Sequence, residues 1–401
     1  MVDLVEFLTH APRPSEALRK RVDPDPRLRR YTIISVDDHF IEPPDLFQDR
    51  LPRRFVDVAP RVIRRDGADW WTFGDQQVPL LGADAVQTWE PGHGYSGPVT
   101  FEELRPGTWR PADRVRDMDI SGVAASLNFP STTWGFAGRV FMHLEPDLGF
   151  ALVRAYNDWI YETWSSVYPD RFIACQLTWL LDPELAAREI ARNAARGFKA
   201  VTFTENPAKL GLPSMHQTHW DPLLRACEET ETVINLHVGS SSETLIPGPD
   251  SAAVIGILFP INAFAACADW LYAAVPARFP NIKIALSEGG IGWVPMLLDR
   301  IEYGRRHGSA DERVFGDLDP AEMLHRNFWF TTFSDPRTLA LRHDIGVDRI
   351  MVETDYPHSD SSWPDTQDLL GRQFADVTDE DATRLTWRNA SELYRHPITK
   401  A

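Results

Sequence analysis

The chain has 401 residues, with 41 basic against 58 acidic side chains, a formal net charge of −17, and 43% hydrophobic residues. That is the composition of a soluble globular protein, long enough for one large α/β barrel or for two to three smaller domains. The acidic balance argues against nucleic acid or an anionic membrane as the main partner, because both draw on clustered Lys and Arg.

Residues 1–30 carry charges throughout, together with Pro12, Pro14, Pro24 and Pro26, and are expected to form a surface arm rather than a signal peptide. From residue 31 onward, short β-rich runs alternate with polar loops and segments of helical periodicity. The runs predicted as strands are Thr32–Val36, Val123–Leu127, Phe172–Leu177, Lys199–Phe203, Val233–Leu236, Ile282–Leu286, Phe328–Thr332 and Arg349–Val352. Asp182 and Pro183 suit the N-cap and first position of a helix that Gly197 closes. Eight parallel strands alternating with helices predict a (β/α)8 TIM barrel, one domain over 31–396, with a doubly wound sheet as the alternative.

The stretch at about 41–121, with Trp70, Trp71, Phe73 and Gly74, is expected to be a long insertion covering one end of the barrel. The charge-free run Ser251–Ala268 contains Pro260 and Asn262 and is followed by Asp269, so it is predicted as a barrel helix and not a membrane span. Three scattered cysteines, Cys175, Cys227 and Cys267, make no zinc ribbon or disulfide framework, and a cytoplasmic location is expected.

Functional residues of such barrels lie at the carboxyl ends of the strands. Strand one ends in Asp37-Asp38-His39, whose alternation puts Asp37 and His39 on one face. Later strands run into Glu205, His237, Glu288, and Glu353-Thr354-Asp355-Tyr356-Pro357-His358. Any one such carboxylate is ordinarily a helix cap or a solvated charge. Five strands ending this way would bring mutually repelling carboxylates together, and a bound cation is the simplest resolution. The candidate ligands are Asp37, His39, Glu205, His237, Glu288 and Asp355, with His219 and His358 in reserve; Asp355, Glu288 and His358 are the candidate catalytic groups.

The ordered set Val36-Asp37-Asp38-His39, Glu42-Pro43-Pro44, His237, Gly289-Gly290-Ile291-Gly292-Trp293-Val294-Pro295 and Thr354-Asp355-Tyr356-Pro357 resembles the amidohydrolase-related metalloenzymes of the amidohydrolase superfamily, which are TIM barrels. The resemblance covers about residues 31–395. It implies that Asp37, His39 and His237 are metal ligands and that Asp355 is a ligand or general base. Hydrolases and decarboxylases of that family usually carry a histidine before the Gly-Gly, where this chain has Glu288.

The segments Glu205-Asn206-Pro207, Leu212-Pro213-Ser214-Met215-His216, His219-Trp220-Asp221-Pro222, His237-Val238-Gly239-Ser240-Ser241-Ser242 and Thr354 to Asp360 are similar to those of TIM-barrel nonhaem diiron monooxygenases. That likeness implies two iron ions, dioxygen, an external electron donor and hydroxylation of an apolar terpenoid or acyl substrate, CoA thioesters included, in natural-product biosynthesis. Four carboxylates and two or more histidines exceed what one catalytic zinc takes, which points the same way. Trp70, Trp71, Trp89, Trp109, Trp134, Trp293 and Trp363, in predicted loops, are expected to line an apolar pocket or to pack the insertion.

The alternative is a mononuclear zinc- or manganese-dependent hydrolase or decarboxylase that needs no dioxygen, with Asp355 as proton carrier. A binding protein without turnover is the third reading. A homo-oligomer is expected, the apolar 255–274 segment serving either as core or as subunit interface.

Overall fold

The computed structural model describes residues 21–88, 97–241, 254–307 and 314–398. All eight expected strands form, shifted by a few residues at their ends: β1 Ile34–His39, β5 Ala125–Phe129, β6 Phe172–Ile173 with β7 Cys175–Leu177, β8 Ala200–Phe203, β9 Val233–His237, β10 Ile284–Ser287, β11 Phe328–Thr332 and β12 Ile350–Val352. β6 and β7 are one run interrupted at Ala174. Neighbours pair in parallel in chain order, β1-β5-β6 and β7-β8-β9-β10-β11-β12. The ring closes where the Asp355 amide donates to the Asp37 carbonyl (2.8 Å) and the His39 amide to the Tyr356 carbonyl (2.7 Å). The fold is therefore a (β/α)8 barrel, and its seam carries candidate site residues from both ends of the chain.

The strands are buried on both faces, as barrel strands must be, and this is why they read as continuous apolar runs. Below the site, Ala390, Leu393 and Tyr394 pack against the strand bottoms with Ile34, Val36 and Val233, and the Tyr394 hydroxyl donates to Asn235 Oδ1 at 2.6 Å. The register of β1 against β5 shifts between Ser35 and Asp38. Such a bulge re-aims side chains locally, here next to two candidate ligands.

The insertion after β1 contains a three-stranded antiparallel sheet, β2 Arg61–Arg65, β3 Ala68–Phe73 and β4 Gln76–Pro79. Trp71 and Trp109 of the insertion pack on neighbouring aromatic rings. Trp71 meets Trp134 at 5.1 Å between ring centroids, and Phe47, Phe73 and Phe141 surround Trp134. Trp109 packs on Phe101, Trp293 on Phe330, and Trp363 on Tyr356; Trp89 lies outside the described residues.

Helix α1, Pro111–Ser121, precedes β5, and α2, Pro146–Trp159, precedes β6. Helix α3, Pro183–Ala194, starts as expected: Asp182 accepts from the Glu184 and Leu185 amides, with proline at N1. Asp182→Ala is expected to cost about 1 kcal/mol, read as a lowered denaturation midpoint; an unchanged midpoint would refute the cap.

The apolar run forms helix α4, Ile255–Tyr272, with Pro260 inside it; residues 251–253 lie outside the described residues. Among the described residues no helix is long and apolar enough to cross a membrane. Residues 1–20 of the expected arm also lie outside them, and residues 21–30 run without regular structure, tied down by contacts such as Arg27 to Asp365 at 2.9 Å.

Candidate metal centre

His39 ends β1 and His237 ends β9, so both imidazoles rise at the carboxyl mouth of the barrel, fully buried. The His39 Nδ1 faces the Pro130 carbonyl at 3.1 Å and the His237 Nδ1 faces the Val238 carbonyl at 2.6 Å. A carbonyl has no proton to give, so each ring must donate from Nδ1 and keep a bare lone pair on Nε2. Those two Nε2 atoms lie 3.2 Å apart.

Asp37 completes the convergence, with Oδ1 3.3 Å from His39 Nε2 and Oδ2 3.5 Å from His237 Nε2. Both Asp37 oxygens are buried and accept no hydrogen bond, and Asp355 Oδ1 is 3.3 Å from His39 Nε2. Lone pairs facing lone pairs in a dry site are unstable without a cation between them, so this donor set fits a divalent metal. Three protein ligands with an open position are what a catalytic zinc or similar ion takes.

Glu288, Asp355 and His358 stand beside this set. Glu288 Oε2 is 3.5 Å from His237 Nε2, and His358 Nδ1 is 3.0 Å from Asp355 Oδ1, with its ring stacked 3.8 Å from that of His39. Glu288 and Asp355 both adopt the left-handed backbone conformation, φ 59° and 51°. Non-glycine residues occupy it at a cost, and the surroundings hold them there: the Glu288 amide donates to Glu353 and the Asp355 amide to Asp37.

The electrostatics follow from burial without a cation. Burial, reinforced by Glu353, Asp355 and Glu288, holds the Asp37 carboxyl well above the usual range, and burial with Asp355 and Asp360 does the same to Glu288. Burial pushes Glu353 to about 8. His39 and His237 are driven well below the usual imidazole value, by burial first and then by a neighbouring imidazole. Burial also lowers His358, but Asp355, Asp84 and Asp360 outweigh it and bring it to about 9.

Two expected ligands sit elsewhere. His219, in the turn Thr218–Trp220, is partly exposed with its ring edge-on to Trp220 at 4.8 Å, outside every group of converging ligand atoms among the described residues. Glu205 is likewise absent from those groups. Its Oε1 accepts from the Ser241 hydroxyl (2.9 Å), the Gly239 amide (3.3 Å) and the Asn262 side chain (3.3 Å), which engages it behind His237.

Sequence reasoning passed over several neighbours. Asp360 converges with Glu288 and Asp355, and its place five residues beyond Asp355 was the available signal. Phe136 stacks on His237 at 4.2 Å, Phe129 lies edge-on to it at 5.0 Å, and Asp84 reaches from the insertion to 3.9 Å from His358 Nε2. No local pattern marks these three.

Barrel, seam and a donor set that could hold a metal ion together define a (β/α)8 protein of the amidohydrolase kind. The pattern of the amidohydrolase family matches residues 39–396, and the chain belongs to that family. It is 23% identical over 310 residues to a gamma-resorcylate decarboxylase from Polaromonas sp. (strain JS666 / ATCC BAA-500), covering 70% of this chain and 86% of the relative. Among solved structures it is similar to an amidohydrolase from Mycobacterium avium subsp. paratuberculosis K-10 (TM-score 0.74, 21% identity, 92% of this chain and 100% of that one). A 5-carboxyvanillate decarboxylase from Novosphingobium aromaticivorans DSM 12444 with bound manganese gives a TM-score of 0.64 at 17% identity, over 91% and 97%. A dihydroxybenzoic acid decarboxylase from Polaromonas sp. JS666 with manganese and 2-nitroresorcinol gives 0.61 at 18%, also over 91% and 97%.

These findings correct the expectation of a dinuclear iron oxygenase. The relatives with a named activity are decarboxylases, two of them holding manganese with small aromatic ligands. Nothing in them corresponds to two irons, dioxygen, an external electron donor, a CoA thioester, or a hydroxylated terpenoid. That expectation counted strand-end carboxylates and nearby histidines as ligands; among the described residues Glu205 accepts from three donors instead, and His219 lies outside the converging groups.

Proposed function

We propose that the chain is a metal-dependent decarboxylase acting on a small hydroxylated aromatic carboxylate. The observation that carries this reading is the pair of bare Nε2 atoms 3.2 Å apart with the unpartnered Asp37 carboxylate within 3.5 Å of both. The named activities of the relatives support the reaction class.

Asp37, His39 and His237, with Asp355 at the seam, would hold one manganese or zinc ion. When bound, the ion would supply a Lewis acid that withdraws electron density from the substrate carboxylate. Asp355, with the His358 imidazole 3.0 Å away, is the proton carrier. The ring carbon bearing the carboxylate takes that proton, its bond to the carboxyl carbon breaks, and carbon dioxide leaves while the bonding electrons restore the aromatic ring. Phe129 and Phe136 keep water from the histidine faces.

Glu288 stands where decarboxylases of the family usually have a histidine. Burial and the neighbouring Asp355 hold its carboxyl well above the usual carboxylate range.

Manganese-loaded protein given 2,6-dihydroxybenzoate and 5-carboxyvanillate in D2O under argon is expected to release carbon dioxide and a phenol with one deuterium at the vacated carbon. Absence of carbon dioxide from both acids, with hydrolysis of an aryl ester in the same preparation, would overturn the assignment in favour of a hydrolase.

A further inference from the structure

The peptide units that hold the two histidine rings have a second common feature. The carbonyl that takes the His39 Nδ1 proton belongs to Pro130, and the other end of the same peptide plane, the Ser131 N–H, donates to Glu42 Oε1 at 3.0 Å. The carbonyl that takes the His237 Nδ1 proton belongs to Val238, and the other end of that plane, the Gly239 N–H, donates to Glu205 Oε1 at 3.3 Å. Each candidate metal-binding imidazole is thus linked through one peptide group to a buried glutamate.

We propose that Glu42 and Glu205 are paired positioning residues, each setting the donor strength of one metal histidine through the intervening peptide. The inference rests on the reading of Asp37, His39 and His237 as a metal centre. A carboxylate that accepts from a peptide N–H polarises the whole plane and makes its carbonyl a better acceptor. The stronger acceptor draws on the Nδ1 proton and raises the basicity of Nε2. In many metal sites a carboxylate performs this service by touching the histidine directly; here the peptide is interposed.

Both glutamates are held in place by further donors. Glu42 also accepts from the Ser131 hydroxyl (2.6 Å) and the Tyr156 hydroxyl (2.8 Å), which ties the loop after β1 to the loop after β5 and to α2. Glu205 also accepts from Ser241 and Asn262, which ties the loops after β8 and β9 to α4. Neither side chain is more than 3% exposed. A carboxyl group buried this deeply carries a desolvation cost, and burial raises both to about 7. The hydrogen bonds that each carboxyl accepts offset part of that cost.

The test uses the full-length protein with Glu42→Ala, Glu205→Ala, Glu42→Gln and Glu205→Gln. Histidine 15N spectra of the metal-free proteins read the strength of the Nδ1–H hydrogen bond, and competition against a chelator reads manganese affinity. The alanine variants are expected to shift the Nδ1 15N signal of the histidine on their own side only, His39 for Glu42 and His237 for Glu205, and to bind manganese about 10- to 100-fold more weakly. The glutamine variants keep an acceptor oxygen without the charge, so they should fold, show a smaller Nδ1 shift and lose less affinity than the alanine variants.

Folded alanine variants with unchanged histidine signals and wild-type manganese affinity would overturn the proposal. Should an alanine variant fail to fold, a glutamine variant with wild-type 15N shifts of its histidine and wild-type affinity would do the same. Wild-type protein that binds no manganese would overturn the metal centre, while the 15N spectra of the variants would still show whether each glutamate acts on its histidine.

Discussion

His39→Ala protein is expected to retain less than a tenth of the wild-type metal and to lose about a thousandfold in decarboxylation rate, the equivalent of about 4 kcal/mol of transition-state stabilisation. His39 is central to the convergence: its Nε2 lies within 3.3 Å of His237 Nε2, Asp37 Oδ1 and Asp355 Oδ1. Removing the ring leaves one imidazole and carboxylates that repel one another. Elemental analysis with a turnover assay on the same sample checks this. Full metal content with normal turnover would remove His39 from the ligand set.

Metal-stripped protein is expected to lose stability as the pH rises from 6.5 to 8, and the metal-loaded protein is not. Asp37 and Glu288 are held well above the usual carboxyl range and Glu353 is pushed to about 8, whereas the unfolded chain titrates these groups near 4. Between those values the folded state binds more protons than the unfolded one, so the stability these groups contribute is complete below the unfolded pKa and is lost as pH climbs through the folded pKa. His39 and His237, with lowered values, act in the opposite direction only below about 6.5.

For the stripped protein the loss is on the order of a few kcal/mol across the window. A divalent cation at Asp37 stabilises the ionised carboxylates and removes the slope. Urea unfolding at pH 6.5 and pH 8, with and without manganese, measures the difference; a stripped protein more stable at pH 8 would contradict it.

The fold was legible in the sequence because parallel barrel strands, buried on both faces, leave uninterrupted apolar runs such as Val233–Leu236 and Phe328–Thr332. Period-two alternation was enough to put Asp37 and His39 on one face, and the end of β9 was enough to bring His237 to the same mouth.

What sequence does not carry is which lone pair points where. Glu205 follows its strand much as Glu288 does, yet Glu205 turns to the Gly239 amide while Glu288 turns to His237. The Pro130 carbonyl that fixes the His39 tautomer lies 91 positions away, and Asp84 approaches His358 from an insertion 274 positions earlier. Residue types at strand ends pointed to converging donors at the barrel mouth; their atom-level arrangement depended on these long-range contacts.

Titration of metal-free protein with manganese under strict anaerobiosis, following carbon dioxide release from 2,6-dihydroxybenzoate, is the most direct test. The arrangement of Asp37, His39, His237 and Asp355 predicts activity that rises from near zero and saturates at about one equivalent of metal per chain. Activity that appears only when dioxygen and a reductant are admitted, or that needs a second equivalent, would contradict it.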